Sequence, residues 1–351
     1  MQDDHATDTP GWDAINDALA PLYAGQTPQH FGTAIPYTLG GADPLDGISV
    51  YRVDAPVPHW HYITYGFSEL YAKESSDAST SGYGFELTFR LAITPGDSAA
   101  DAPPAWPMNL LQNLARYVFG SGNVFEDGHH IDANGPIALE QDTLLRHLAF
   151  LQDPQLPPRQ TANGALQFLQ VIGLCDAEMA AIRRWSTRGV LDLLEPAMPL
   201  WITELSRASL LDDPALAAQV QAGSAREGSS TGMLFLEKLQ ARVEDGVATL
   251  VIGAGQVPSV LELLPLRLRH GKPLTLFGAD LAWRFEAGAE DAVQADAEVI
   301  RCVLSEACQQ ALLRTLRAER GRYVLAEGRL LVVVEPTLLR DAKGAVIREI
   351  G

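Results

Sequence analysis

His59 and His61, flanking Trp60, are the first residues to weigh for chemistry. In an extended chain, residues two apart share a face, where two imidazoles can share a metal ion. The adjacent pair His129-His130 offers two more such groups. No cysteine or carboxylate falls at a recognised ligand spacing beside either pair, so the histidines read as caps on an aromatic cluster and no metal is expected. Gly253-Ala254-Gly255 stands where a dinucleotide loop would, after a predicted strand and before a predicted helix. The third glycine of that fingerprint is missing, Val257-Pro258 occupies its region, and no acidic residue completes the unit. The stretch reads as a turn, and no cofactor is expected. The chain has no P-loop lysine and no H-E-x-x-H. The acidic pairs Asp212-Asp213 and Glu290-Asp291 lie in polar surroundings and read as solvated. A catalytic acid needs burial to lift its pKa, and the sequence marks no carboxylate for burial. The expectation is a protein without catalytic residues.

What remains is binding, and composition narrows the partner. The 351 residues are enough for two domains with separate cores, and 47% of them are hydrophobic. Lys plus Arg number 26 against 44 Asp plus Glu, a net charge of −18. Such a surface repels phosphate backbones, so no nucleic-acid partner is expected. It serves solubility, and it also steers basic partners toward the protein. Cys175, Cys302 and Cys308 are few, odd in number and scattered, which argues against a disulfide framework and for a reducing compartment. The acidic start Met1-Gln2-Asp3-Asp4-His5 has no apolar core of a signal peptide, and no run reaches the ~18 apolar residues of a membrane span. The expected location is the cytoplasm, away from membranes.

The elements that must position such a surface centre on two aromatic segments, His59 to Tyr71 and Gly82 to Leu91. In the second, Phe85, Leu87, Phe89 and Leu91 alternate with Glu86, Thr88 and Arg90, the period-two pattern of a strand. The serine-rich stretch Lys73 to Ser81 reads as the loop between them. Upstream, residues 1–10 read as a disordered tail. Trp12, Ile15, Leu19 and Leu22 recur at helical spacing, predicting a helix from Gly11 to Ala24. Trp106-Pro107 opens another helix, with Leu110, Leu111, Leu114 and Tyr117 or Val118 on its apolar side, and Gly120-Ser121-Gly122 ends it. A polar loop spans Asn123 to Pro136. Strands are expected at 144–151 and 165–174, then a helix capped by Asp176 and a short strand from Trp201. Gln221 to Gly232 reads as a flexible linker. Beyond it come strands at 247–252, 274–277, 281–285, 299–304 and 330–334, with helices at 258–269 and from Ser305 to Arg317, and an acidic spacer at 288–297.

The wording of HWHYITYGFSELY, GYGFELTFRL and WPMNLLQNLARYVF, in that order and spacing, resembles the N-terminal domain of the Suppressor of fused family. DPLDGISVYR upstream and LPLRLRHGKPLTLFGADLAWRF downstream extend the resemblance over most of the chain, in a compact version that resembles bacterial members. The resemblance implies an α+β fold of two mixed domains, each a mostly antiparallel or mixed sheet covered by helices, with a cleft between them. The boundaries expected are 11–205 and 233–351, joined through 206–232. It also implies protein binding, in which a short peptide adds as a strand between the domains. Tyr117 matches a contact tyrosine of the family, facing either cleft or core. His129 falls where the family has an acidic contact residue, a departure that speaks against the same ligand. Leu264 matches a contact leucine of the second domain.

The reading is therefore a non-catalytic protein that sequesters or neutralises a partner. The leading form is an immunity protein masking a basic toxin domain, approached by charge steering. The alternatives are an intracellular regulator or scaffold that binds a peptide segment by strand addition, and an enzyme with an unrecognised cleft site.

Overall fold

Alternating side chains give a strand two faces, and in the aromatic segments both are filled. A computed structural model describes residues 8–93, 102–296, 298–340 and 344–351. The chain divides into two units: Met1–Met179 with Val190–Ala217, and Ala180–Gly189 with Ala218–Gly351. The first contains α1 (Pro10–Leu19), β1 (Gln29–Gly32), β2 (Gly47–Val53), β3 (His59–Tyr65), β4 (Thr80–Ala92), α2 (Trp106–Ser121), β5 (His130–Asp132), β6 (Leu145–Gln152), β7 (Arg159–Thr161) and β8 (Gly164–Cys175). Its eight-stranded sheet runs β1-β2-β3-β4-β8-β6-β5, with β7 paired to β8. The β4–β8 pair is parallel and the rest are antiparallel. One face carries Trp60, Tyr62, Phe85, Leu87 and Phe89 against Leu111, Leu114 and Val118 of α2. The other carries Tyr51, Ile63, Tyr65 and Phe168 against Ile15 and Leu19 of α1.

The helices α3 (Asp176–Arg184), α4 (Thr187–Leu194) and α5 (Pro214–Glu227) follow, and the division between the units falls within each of them. The second unit continues with β9 (Met233–Phe235), β10 (Leu239–Glu244), β11 (Val247–Gly253), α6 (Val257–Leu268), β12 (Leu274–Phe277), β13 (Ala282–Ala287), β14 (Ala292–Ala295), β15 (Val299–Leu304), α7 (Glu306–Thr315), β16 (Gly321–Leu325), β17 (Leu330–Glu335), β18 (Thr337–Arg340) and β19 (Val346–Ile350). They make a sheet β10-β11-β17-β16, a sheet β14-β15-β13-β12-β9 and the hairpin β18-β19. Leu250, Ile252, Val332 and Val334 close on Trp283, Phe285, Leu263 and Leu312 to form the second core. The fold is α+β with mixed sheets, as expected. Among the described residues, no helix is long and apolar enough to cross a membrane.

Several expectations are corrected. The flexible linker expected at 221–232, within the joining region 206–232, is helical over its first half: residues 214–227 are the helix α5. Asp213 caps it, its carboxylate accepting from Ala215 N at 2.8 Å, and Pro214 fills the first turn, where no N–H is needed. The small residues there serve packing, since Gly223 lies so close to the Trp185 ring that a Cβ would stand 2.5 Å from it. Ser224 and Ser229 donate their hydroxyls to the carbonyls of Arg184 and Arg183 (2.9 and 2.5 Å), satisfying the free end of α3. Trp201 starts no strand; Leu200 and Trp201 turn through positive φ (52° and 48°), and Thr203 makes one bridge to Leu91. The acidic spacer at 288–297 includes strand β14 (Ala-Val-Gln-Ala), an edge of its sheet flanked by Asp291 and Asp296. The polar loop 123–136 contains β5. Of the expected tail, residues 1–7 lie outside the described residues, and Pro10 already begins α1.

Candidate partner-binding surface

Helix α2 shows two apolar stripes. Leu111, Leu114, Ala115 and Val118 are buried in the core. Trp106, Leu110, Asn113 and Tyr117, spaced by four, three and four, lie along a second face, as i,i+3/i+4 neighbours do. That face forms one wall of a groove of about 870 Å³ whose other wall comes from Ile131 and Asp132 of β5, the turn 133–141 and Leu148 of β6. Ile137 and Leu148 are buried in its floor, while Leu139 is 87% exposed at its rim. The helix ends with Gly122 at φ 74°, whose N–H bonds Val118 O at 2.8 Å, so Tyr117 sits one turn from a firmly closed terminus.

Tyr117 is 47% exposed, so it belongs to this surface rather than to the core. Its ring stacks at 5.8 Å on Phe125, which stacks on Phe150 at 4.0 Å. Its hydroxyl accepts from Asn123 Nδ2 at 3.1 Å, fixing the ring while leaving the hydroxyl proton for a partner. His129 is exposed near by but does not line the groove. Its Nδ1 accepts from Glu126 N at 3.2 Å, and its Nε2 lies 3.8 Å from the Glu126 carboxylate. An acidic group thus stands beside the position where the sequence departs. Leu264 is elsewhere: it belongs to the second unit and is 1% exposed in its core. A ligand would meet it only by displacing that core.

Strand β5 ends its sheet. The bonds Phe150 N to His129 O (2.9 Å) and Ala133 N to Arg146 O (3.0 Å) turn residues 129, 131 and 133 toward β6. Antiparallel alternation then turns the main-chain groups of Asp132 away from it, toward the sheet's margin.

Chemistry-capable groups do occur in the first unit, but inside it. Glu86 is fully buried and accepts from Gly66 N, Ser68 N, Ser68 Oγ and Thr64 Oγ1 at 2.6–3.0 Å. Burial outweighs these donors and lifts its pKa to about 7. Arg90, also fully buried, donates to both Asp153 oxygens (2.7 and 3.1 Å), to Gln155 Oε1 (3.0 Å) and to Gln170 Oε1. Burial opposes ionisation of Asp153, but the Arg90 charge overcomes it and holds the carboxyl far below its usual range. His61, 3.6 Å from Asp153, is hydrogen-bonded through Nδ1 to the Tyr23 hydroxyl at 2.5 Å. Burial and the Arg90 charge push His61 down to about 3. His59 gives its Nδ1 proton to Val57 O (2.7 Å), and burial lowers it to about 4. Both histidines are held neutral and bond through Nδ1, while the buried Nε2 of each has no hydrogen-bond partner among the described residues. The expectation that no carboxylate is buried is corrected by Glu86, Asp153 and Glu178; the polar residues Glu86, Thr88 and Arg90 of β4 are fully buried, the last two bonded to Asp153. Gly253-Ala254-Gly255 forms a turn closed by Thr337, whose Oγ1 accepts from Gly255 N at 2.9 Å.

Comparison with known proteins gives the same outline. The family model for Suppressor of fused protein matches residues 41–208, a span that contains Tyr117 and His129 but not Leu264. Human Suppressor of fused homolog is 39% identical over 237 residues, covering 63% of this chain and 48% of the human protein. The mouse homolog is 38% identical over the same length. The chain thus spans about half the length of the curated relatives it matches. The crystal structure of Drosophila Suppressor of Fused aligns with a TM-score of 0.82 at 24% identity, over 93% of this chain and 97% of that one. A chain from the Sufu-Fu complex aligns with a TM-score of 0.57 at 35% identity, over 61% of this chain and 98% of that one.

Proposed function

The chain belongs to the Suppressor of fused family, and on that footing we propose that it is a non-catalytic binding protein whose first unit holds a segment of a protein partner at the α2–β5 groove. The observation that carries this reading is the groove itself. An apolar floor, a half-exposed and anchored tyrosine, and a strand edge suit an extended segment that adds main-chain bonds to β5 and seats side chains beside Tyr117. A relative has been solved in the Sufu-Fu complex, which supports binding of a protein rather than turnover of a small molecule.

The reading takes two forms. In one the protein masks a basic toxin domain as an immunity protein. In the other it is an intracellular regulator that holds a linear segment. The charge of −18 favours a basic partner in either form, through faster encounter. The test is affinity capture from the host, followed by binding of overlapping synthetic peptides from the captured partner to wild type and Tyr117→Ala, with melting curves as a folding control. One peptide should retain binding, and the variant should weaken it by ~10–100-fold, a loss on the scale of an interfacial tyrosine. Equal affinity in a well-folded variant removes the groove from the reading. Loss of the partner's toxic activity on stoichiometric addition supports neutralisation; intact activity rejects it.

A further inference from the structure

The second unit has a sheet face of different character. In the sheet β10-β11-β17-β16, Ala248, Leu250, Ile252, Leu330, Val332 and Val334 face the core. The other face consists of two rows read across the strands: Gln240, Val251, Val333 and Arg322, then Arg242, Thr249, Leu331 and Val324. The centre is aliphatic and half-buried, and Val324 is 66% exposed. The two arginines stand at diagonally opposite corners, three strand spacings or roughly 14 Å apart across the sheet. Two depressions of about 300 and 510 Å³ share Arg322 and Val333, and the second adds Arg320. With Lys238, the face and its margin carry four cations, Lys238, Arg242, Arg320 and Arg322, against the carboxylates Glu244 and Glu335. Glu244 pairs with Arg242 at 3.4 Å and Glu335 pairs with Lys238, and although Glu237, Asp245 and Glu319 adjoin the margin in the chain, Arg320 and Arg322 line the depressions with no ion pair among the described residues.

We propose that this face is a docking site for a short acidic amphipathic segment of a protein partner, with apolar side chains on Val251, Leu331 and Val333 and carboxylates reaching Arg242 and Arg322. Charge complementarity selects the carboxylates, and the aliphatic rows require apolar side chains between them. The size of the island selects a segment. A long polyanion or an anionic bilayer extends beyond it and meets the acidic remainder of the surface, whereas a segment roughly 14 Å wide does not. The site lies on different residues from the α2–β5 groove and stands or falls independently of that reading.

The probe is a fluorescein-labelled helical peptide with a leucine stripe flanked on both sides by glutamates, its partner a peptide with lysines in place of the glutamates. Binding to the full chain is followed by anisotropy at low and 0.5 M salt. The glutamate peptide should bind and the lysine peptide should not, with affinity falling as salt rises. Arg242→Glu with Arg322→Glu should weaken binding at least about tenfold, two exposed contacts having turned from attractive to repulsive. Arg242→Gln with Arg322→Gln, which leaves the sheet pairing untouched, should give a smaller loss in the same direction, and Tyr117→Ala should give none. Unchanged affinity in the well-folded charge variants overturns the proposal. So does equal binding of the lysine peptide, or preferential binding of a single-stranded oligonucleotide or of phosphatidylserine vesicles over the glutamate peptide.

Discussion

The most informative single residue is Glu86. Its carboxyl ionises near pH 7 in the folded protein, because burial disfavours the charge more than four donors favour it. A carboxyl whose folded pKa lies above its unfolded one binds protons more tightly when folded. Its stabilising contribution is therefore full below about pH 4.5, shrinks as pH rises, and is gone above about 7. The span corresponds to a contribution on the order of 3 kcal/mol. Glu86→Gln keeps an oxygen for Gly66 N and Ser68 N and an amide for the Thr64 oxygen, yet cannot ionise. Urea titrations at pH 5 and pH 8 should show wild type losing stability across that interval and Glu86→Gln losing distinctly less. Parallel losses in both proteins would mean that the four donors, not burial, control this carboxyl. The alternation of Glu86, Thr88 and Arg90 was legible in the sequence, but their burial was not. Period two assigns a residue to a face and does not say what covers it; the Asp153 turn, far away in sequence, bonds Thr88 and Arg90, and residues 64–68 bond Glu86.

At the scale of elements, long periodic segments read well because their pattern repeats. The strands β4 and β8 and the helices α2 and α6 all fall within a residue or two of expectation, while β3 starts at His59 as expected and stops at Tyr65, short of Tyr71. Short elements with nothing to repeat were missed, among them β5, which supplies Ile131 and Asp132 to one wall of the candidate groove. Glycines show how the elements dock. A Cβ on Gly11 would stand 2.0 Å from Glu69 O, so α1 can approach the end of β3 only at a glycine, which also donates its N–H to Leu70 O at 3.0 Å. Gly120, near the end of α2, has open space around it. The same substitution should therefore act in opposite directions. Gly11→Ala should lower stability by about 1–3 kcal/mol, as overpacking does, and speed hydrogen exchange in α1. Gly120→Ala should raise stability by up to about 1 kcal/mol by restricting the unfolded chain. Denaturant midpoints for the pair decide it; a loss in both would mean that α2 tolerates no added side chain at that end.

At the scale of the whole molecule, the sequence divided the chain at a stretch rich in small residues, and the division does lie near it, but its nature is different. Residues 180–189 belong with the second unit although the first resumes at Val190, so the chain enters the second unit, leaves it and returns. Gly, Ala and Ser mark both flexible linkers and close helix packing, and composition alone does not separate these. The separating feature is Trp185. Its ring lies against Gly223, its Nε1 donates to Glu227 at 2.7 Å, and its carbonyl accepts from Ser230 N at 2.6 Å. One tryptophan from the stretch 180–189 thus anchors the segment after residue 218. Trp185→Ala should cost about 3–5 kcal/mol, the usual range for a buried tryptophan. The loss should appear as faster hydrogen exchange in β11 and β17 of the second unit, while β4 and β8 of the first keep their protection. Trp185→Phe, which retains most of the ring contact and loses only the bond to Glu227, should lose much less. If exchange in the second unit instead stays at the wild-type rate in Trp185→Ala, then residues 218–232 are held without this side chain, and the flexible-linker reading regains its footing.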